Sequence, residues 1–145
     1  MKEDLIGNIP ETPVYTTRMI VISSFFGGLP AGSYMIYQNF KTFGEHKKAG
    51  ATIVLSILVM FALIATAFVP ALDNVPGLVF NILTTLIISL LTNKYQGGLI
   101  KNHIEAEGKI YSGGRAVVIC LISILIFVAL ALGAFFLMDF AVENP

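Results

Sequence analysis

The residues best equipped for metal or proton chemistry are His46 and His103, together with Glu45, Glu105 and Glu107. Imidazole and carboxylate are ligand types that a divalent cation accepts, and two neighbouring loops could bring these groups together. A solvated charged surface has the same composition, and the sequence favours that reading. The single cysteine, Cys120, has no second thiol with which to form a redox pair. No glycine-rich phosphate loop, zinc-protease helix or nucleophile elbow is present. The expectation is therefore a protein that is not an enzyme, with no catalytic residue, no metal and no cofactor.

Uncharged polar and small residues carry more pattern. Gly77, Asn81, Thr85, Ser89, Thr92 and Gln96 recur at helical spacing and would lie along one stripe of a helix. Such a stripe suits either a polar path or interhelical hydrogen bonds worth about 0.6 kcal/mol each, and the second is favoured. An amide such as Asn81 is poorly placed against lipid. Earlier in the chain, Ser24, Gly28 and Gly32 are spaced to form a ridge of small residues that another helix can approach closely. Pro30 cannot donate to the carbonyl of Phe26, which predicts a kink. Breaks of this kind can hold an ion or substrate in transporters. With no charged residue nearby, a kinked, closely packed helix is the simpler expectation.

The elements that must position these residues are four uncharged apolar runs, at 19–37, 51–69, 75–92 and 116–138. Each would reach roughly 27–35 Å as a helix, against a hydrocarbon layer of about 30 Å. The chain is 56% hydrophobic and 12% charged, with a mean hydropathy of +0.82, too apolar to bury itself in water. Continuous runs without inside–outside alternation predict helices and not a barrel. The fold expected is all-α: a polytopic bundle of four transmembrane helices arranged as two antiparallel hairpins, kinked at Pro30. Residues 1–18 and 139–145 form the tails. The stretch before the first run is acidic, unlike the basic start of a signal peptide, and is expected to be retained.

Lys41, Lys47 and Lys48 follow the first run, and Lys94, Lys101, Lys109 and Arg115 follow the third. The positive-inside rule then predicts two cytoplasmic loops and both termini outside. The connection at 70–74 is short enough to predict a tight antiparallel turn. Two similar strings, Tyr37-Gln38-Asn39 and Tyr95-Gln96-Gly97, precede the basic loops, and residues 97–108 suggest a short helix closed by Gly108.

The string from Phe25 to Gly44 and that from Ile100 to Ala116, with the four spans, resemble a group of small bacterial membrane proteins of uncharacterised function. The resemblance implies a bacterial cytoplasmic (inner) membrane and supplies no catalytic residues. The function expected is a non-catalytic membrane subunit or assembly partner, in contact with the lipid bilayer and with a membrane-protein partner or further copies of itself, and with no nucleic acid. The alternative is a small homo-oligomeric transporter or channel with a path along Asn81, Thr85, Ser89 and Thr92. The lack of an ionisable side chain inside the spans favours the former.

Overall fold

The computed structural model describes residues 10–66 and 68–143, with side chains as far as Leu137. Its helices are α1 (Thr17–Thr42), α2 (His46–Thr66), α3 (Gly77–Tyr95), α4 (Gly97–Glu105) and α5 (Gly113–Glu143). A single 3-10 turn, Pro70–Leu72, lies between α2 and α3. The described residues form no strand beyond one isolated bridge between Val14 and Ile110. Four of the helices are long and apolar enough to cross a membrane, as the sequence predicts, so the chain is a multi-pass integral membrane protein.

The first of these helices does not run straight. Tyr15 and Asn39 flank most of α1 and would stand about 36 Å apart on a continuous helix. Instead, the Tyr15 amide donates to Asn39 Oδ1 at 2.8 Å, and Asn39 Nδ2 donates back to the Tyr15 carbonyl at 2.8 Å. A Cβ placed on Gly32 would come within 3.1 Å of Ser24 Cβ, so these residues also face one another. The chain therefore reverses at Gly28, whose φ of 68° and ψ of −167° interrupt the helix. That backbone region is essentially restricted to glycine. Pro30 follows in the first turn of the returning limb, where a missing N–H costs no helical hydrogen bond. The expected kink is present, and it is a full reversal centred two residues before the proline.

Each limb is about 16–21 Å long, too short to cross a hydrocarbon layer of about 30 Å. α1 is thus a re-entrant hairpin, and only α2, α3 and α5 run from one end of the bundle to the other. Each of these packs against α1. The two-hairpin arrangement expected from the short 70–74 link gives way to a central hairpin flanked by three helices. The buried apolar residues come mainly from α1, among them Ile20, Ala31, Met35, Ile36 and Phe40, with Ile88 from α3 and Ala116 from α5. Large apolar side chains such as Leu58, Phe61, Leu86, Leu90 and Leu125 point outward, as expected of helices whose solvent is lipid.

The reversal also corrects the expected topology. Val14 N donates to the Lys109 carbonyl at 3.1 Å, and Tyr111 N donates to the Val14 carbonyl at 3.0 Å. The chain before α1 therefore lies at the same end as both basic loops, and α5 leaves toward the opposite end. Among the described residues, the chain before α1 and the end of α5 therefore lie at opposite ends of the bundle. Residues 1–9, including the acidic Glu3 and Asp4, lie outside the described residues.

The short loop helix is confirmed as α4. It closes with Glu107 in the left-handed region at φ 59°, while Glu107 N bonds to the Ile104 carbonyl at 3.0 Å and Gly108 N to the His103 carbonyl at 2.8 Å. These two bonds satisfy the last carbonyls of the helix. A Cβ on Gly108 would strike the His103 ring.

Gly28→Ala should destabilise the protein by about 1–3 kcal/mol, because alanine must adopt the apex conformation. Its detergent melting temperature checks this. In a Cys120→Ala background, cysteines at Glu11 and Lys101 should share one pattern of labelling by an impermeant thiol reagent, with a cysteine at Glu143 showing the opposite pattern. Matching patterns at Glu11 and Glu143 would contradict the re-entrant topology.

Candidate functional site

A chain that enters an apolar layer and returns must satisfy its backbone at the point where the limbs close. Asn39 does this. Its side chain is fully buried, is engaged with both backbone groups of Tyr15, and lies 3.3 Å by Nδ2 from Gln96 Oε1. Gln96, also buried, donates through Nε2 to the Ile36 carbonyl at 2.8 Å. The clasp thus joins the start of α1, its returning limb and the end of α3. Its two amides come from the similar Tyr-Gln strings at 37–39 and 95–97, which meet in space.

Next to the clasp, the Tyr15 ring stacks on Tyr111 with centroids 4.3 Å apart. Arg115 Nε donates to Tyr15 Oη at 2.9 Å, and its guanidinium lies 4.2 Å from the Tyr111 ring centroid. Burial raises the Tyr15 phenol above its ordinary pKa, opposed by the Arg115 hydrogen bond. The phenol therefore stays neutral and accepts from Arg115. Together these contacts hold the segment before α1 against the segment before α5.

The stripe on α3 faces the hairpin. Asn81 Nδ2 donates to the Phe25 carbonyl at 2.9 Å near the apex. Thr85 and Thr92 are buried, Ser89 is half-buried and Gly77 is exposed at the far end. The hydroxyls of Thr85 and Thr92 have no partner. The expected ridge on the first helix is not a ridge. Ser24 and Gly32 are buried and oppose each other across the two limbs, while Gly28 is the apex between them and Pro30 is half-buried beside it. A Cβ on Gly32 would also come within 3.1 Å of Ile88 Cδ1, so its absence lets α3 approach. On the other side, a Cβ on Gly27 would lie 2.9 Å from Cys120 Cα, which places the outgoing limb in close contact with α5. The Cys120 thiol points to the Ser23 carbonyl at 3.8 Å.

The loop groups are not gathered into one surface. His103 is buried, with Nε2 2.9 Å from the Lys109 carbonyl. A carbonyl only accepts, so that nitrogen carries the proton. His46 is exposed at the start of α2. Glu45 pairs with Lys48 at 2.9 Å, and Glu105 with Lys101 at 3.7 Å. Among the described residues no cluster of three or more metal-ligating side chains forms.

Beyond the apex, where the hairpin ends and the three flanking helices continue, lies a cavity of about 410 Å³. Its floor is the chain from Phe25 to Pro30, and its walls include Met60 and Leu63 of α2, Phe80 and Asn81 of α3, and Phe127 of α5. Sequence reasoning missed this cavity and the clasp at Asn39, because both depend on the reversal. The glycine pair at Gly27-Gly28 was the available signal. Comparison with protein-family models, curated proteins and solved structures finds no match to this chain.

Asn39→Leu strands both Tyr15 backbone groups and should lower stability by about 2–6 kcal/mol, at 1–3 kcal/mol for each unsatisfied buried group. Asn81→Leu loses one interhelical bond and should cost only about 1 kcal/mol. Chemical or thermal unfolding in detergent of the two variants side by side checks the order. Equal losses would show that the clasp does not dominate.

Proposed function

We propose that this protein is a non-catalytic membrane subunit or assembly partner, and that the far part of α5 is its docking helix. One observation carries the reading. Cys120 meets the hairpin near its apex, and from there to Leu137 α5 rises about 26 Å. Asn81 of α3 also meets the apex region, yet only about 6 Å of α3 remains beyond it. Along its own axis, α5 thus continues about 20 Å past its neighbour. Over that stretch Leu130, Leu132, Phe135, Phe136 and Leu137 are all exposed. A bilayer matched to α2 and α3 leaves this apolar length beyond its hydrocarbon, and another protein helix would cover it. Ala129 and Gly133 stand one turn apart there and allow close approach.

The use of polar groups supports the same reading over a transport path. Asn81, Asn39 and Gln96 are bonded within the protomer, and among the described residues no charged side chain lines the cavity. The orientation proposed places the end bearing the basic loops in the cytoplasm of a bacterial cell. With the start of α1 moved to that end, Arg18 joins Lys41, Lys47, Lys48, Lys94, Lys101, Lys109 and Arg115. The far end of the described chain holds Asp73, Asp139 and Glu143 and no Lys or Arg, which is the asymmetry of the positive-inside rule.

Purification in a mild detergent should retain a stoichiometric second membrane protein or a second copy of this chain. Gly133→Leu should release it without lowering the melting temperature of the isolated chain. A wild-type protein recovered alone and monomeric from native membranes would refute the proposal.

A further inference from the structure

We infer that the cavity beyond the hairpin apex binds one hydrocarbon chain of a membrane lipid, entering from the far side. Its depth sets the surroundings. The chain at the apex forms its floor, and the cavity extends from there to Thr66 and Gly77 at the far ends of α2 and α3. It therefore lies within the apolar part of the bundle, on the side of the hairpin away from the basic loops, where lipid chains are abundant and water is scarce. At about 410 Å³ it falls within the range of cavities that hold small ligands.

The wall has matching chemistry. Aromatic faces come from Phe25, Phe80 and Phe127. The two hydroxyls on the wall make no demand on a ligand, because Thr66 Oγ1 donates to the Leu63 carbonyl at 2.6 Å and Thr84 Oγ1 to the Phe80 carbonyl at 2.7 Å. Asn81 is committed through Nδ2 to the Phe25 carbonyl. Among the described residues, no charged side chain lines the space. A lipid headgroup would find no counter-charge here, whereas an apolar chain restores the contacts that an unfilled space loses. The site is also built, since the Gly28 reversal that ends the hairpin creates its floor. Its α5 lining, Ile124, Phe127 and Val128, precedes the exposed residues from Leu130 to Leu137 that are proposed for docking.

The test uses the full chain reconstituted in phosphatidylethanolamine–phosphatidylglycerol vesicles, extracted in mild detergent and weighed with its bound lipid by native mass spectrometry. Two variants fill the cavity from different walls. Gly77→Phe starts from a position with open space around its Cβ, and Leu63→Phe enlarges a lining residue of α2. The wild type should retain one lipid per chain, and both filling variants should lower that retention by about tenfold or more while the circular dichroism melting curve is preserved. Asn81→Leu should keep the lipid, because a hydrocarbon chain needs no amide. Retention unchanged in both filling variants, no lipid on the wild type, or loss of the bound molecule in a folded Asn81→Leu protein would each overturn the assignment. The last result would indicate a ligand held by hydrogen bonds.

Discussion

A backbone inside a lipid layer must find its hydrogen-bond partners within the protein, and the hairpin of α1 is the place where this requirement is hardest to meet. Two short limbs interrupt their helical bonding at the apex and bring polar segments together at the base. Asn39 resolves the base by presenting a carbonyl to the Tyr15 amide and an amide to the Tyr15 carbonyl, as a neighbouring strand would. Asn81 supports the apex by donating to the Phe25 carbonyl. The path of α3 follows from these two ends, since Asn81 and Gln96 lie on one of its faces and reach the hairpin near its tip and its foot.

The same geometry explains why the least apolar of the long helices is central. Ser23, Ser24, Gly27, Gly32 and Ser33 are buried within α1. Small side chains let its limbs lie against each other and let α3 and α5 approach their backbones, so dispersion contacts replace the hydrophobic drive that lipid cannot supply. The flanking helices do the reverse. Of the α2 residues only Ala49 is buried, and Val54, Leu55, Leu58 and Phe61 of that helix are exposed. Polar and small residues at the centre with apolar ones at the rim invert the arrangement of a water-soluble bundle, as a change of solvent requires.

A hairpin that stops halfway leaves different environments at the two ends. The basic end is filled by the clasp, the Tyr15–Tyr111–Arg115 stack and the buried His103. The far end has no counterpart. It opens into a cavity among three helices, and α5 passes beyond the others as a single exposed rod. Buried polar contacts at one end and an apolar cavity at the other are thus separated by the reversal at Gly28.

Much of this protein is legible in its residues taken in order. Uncharged runs of membrane length specify helices because no other continuous structure satisfies its backbone in lipid, and the spacing from Asn81 to Gln96 specifies a face that turns inward. Residues 97–108 read as a short helix for equally local reasons. The reversal was not legible. A kinked span and a re-entrant hairpin have the same length, the same hydropathy and the same Gly-Gly and proline near the middle. What separates them is whether Asn39 can reach Tyr15 and whether Ser24 can lie against Gly32, and such contacts between distant residues have no signature in local pattern. From that one tertiary choice came the end of the bundle at which α1 begins and the position of the cavity. Charge counting leaves the side of the first tail open for the same reason: the positive-inside rule assigns sides only once the number of crossings is known, and the crossings depend on packing.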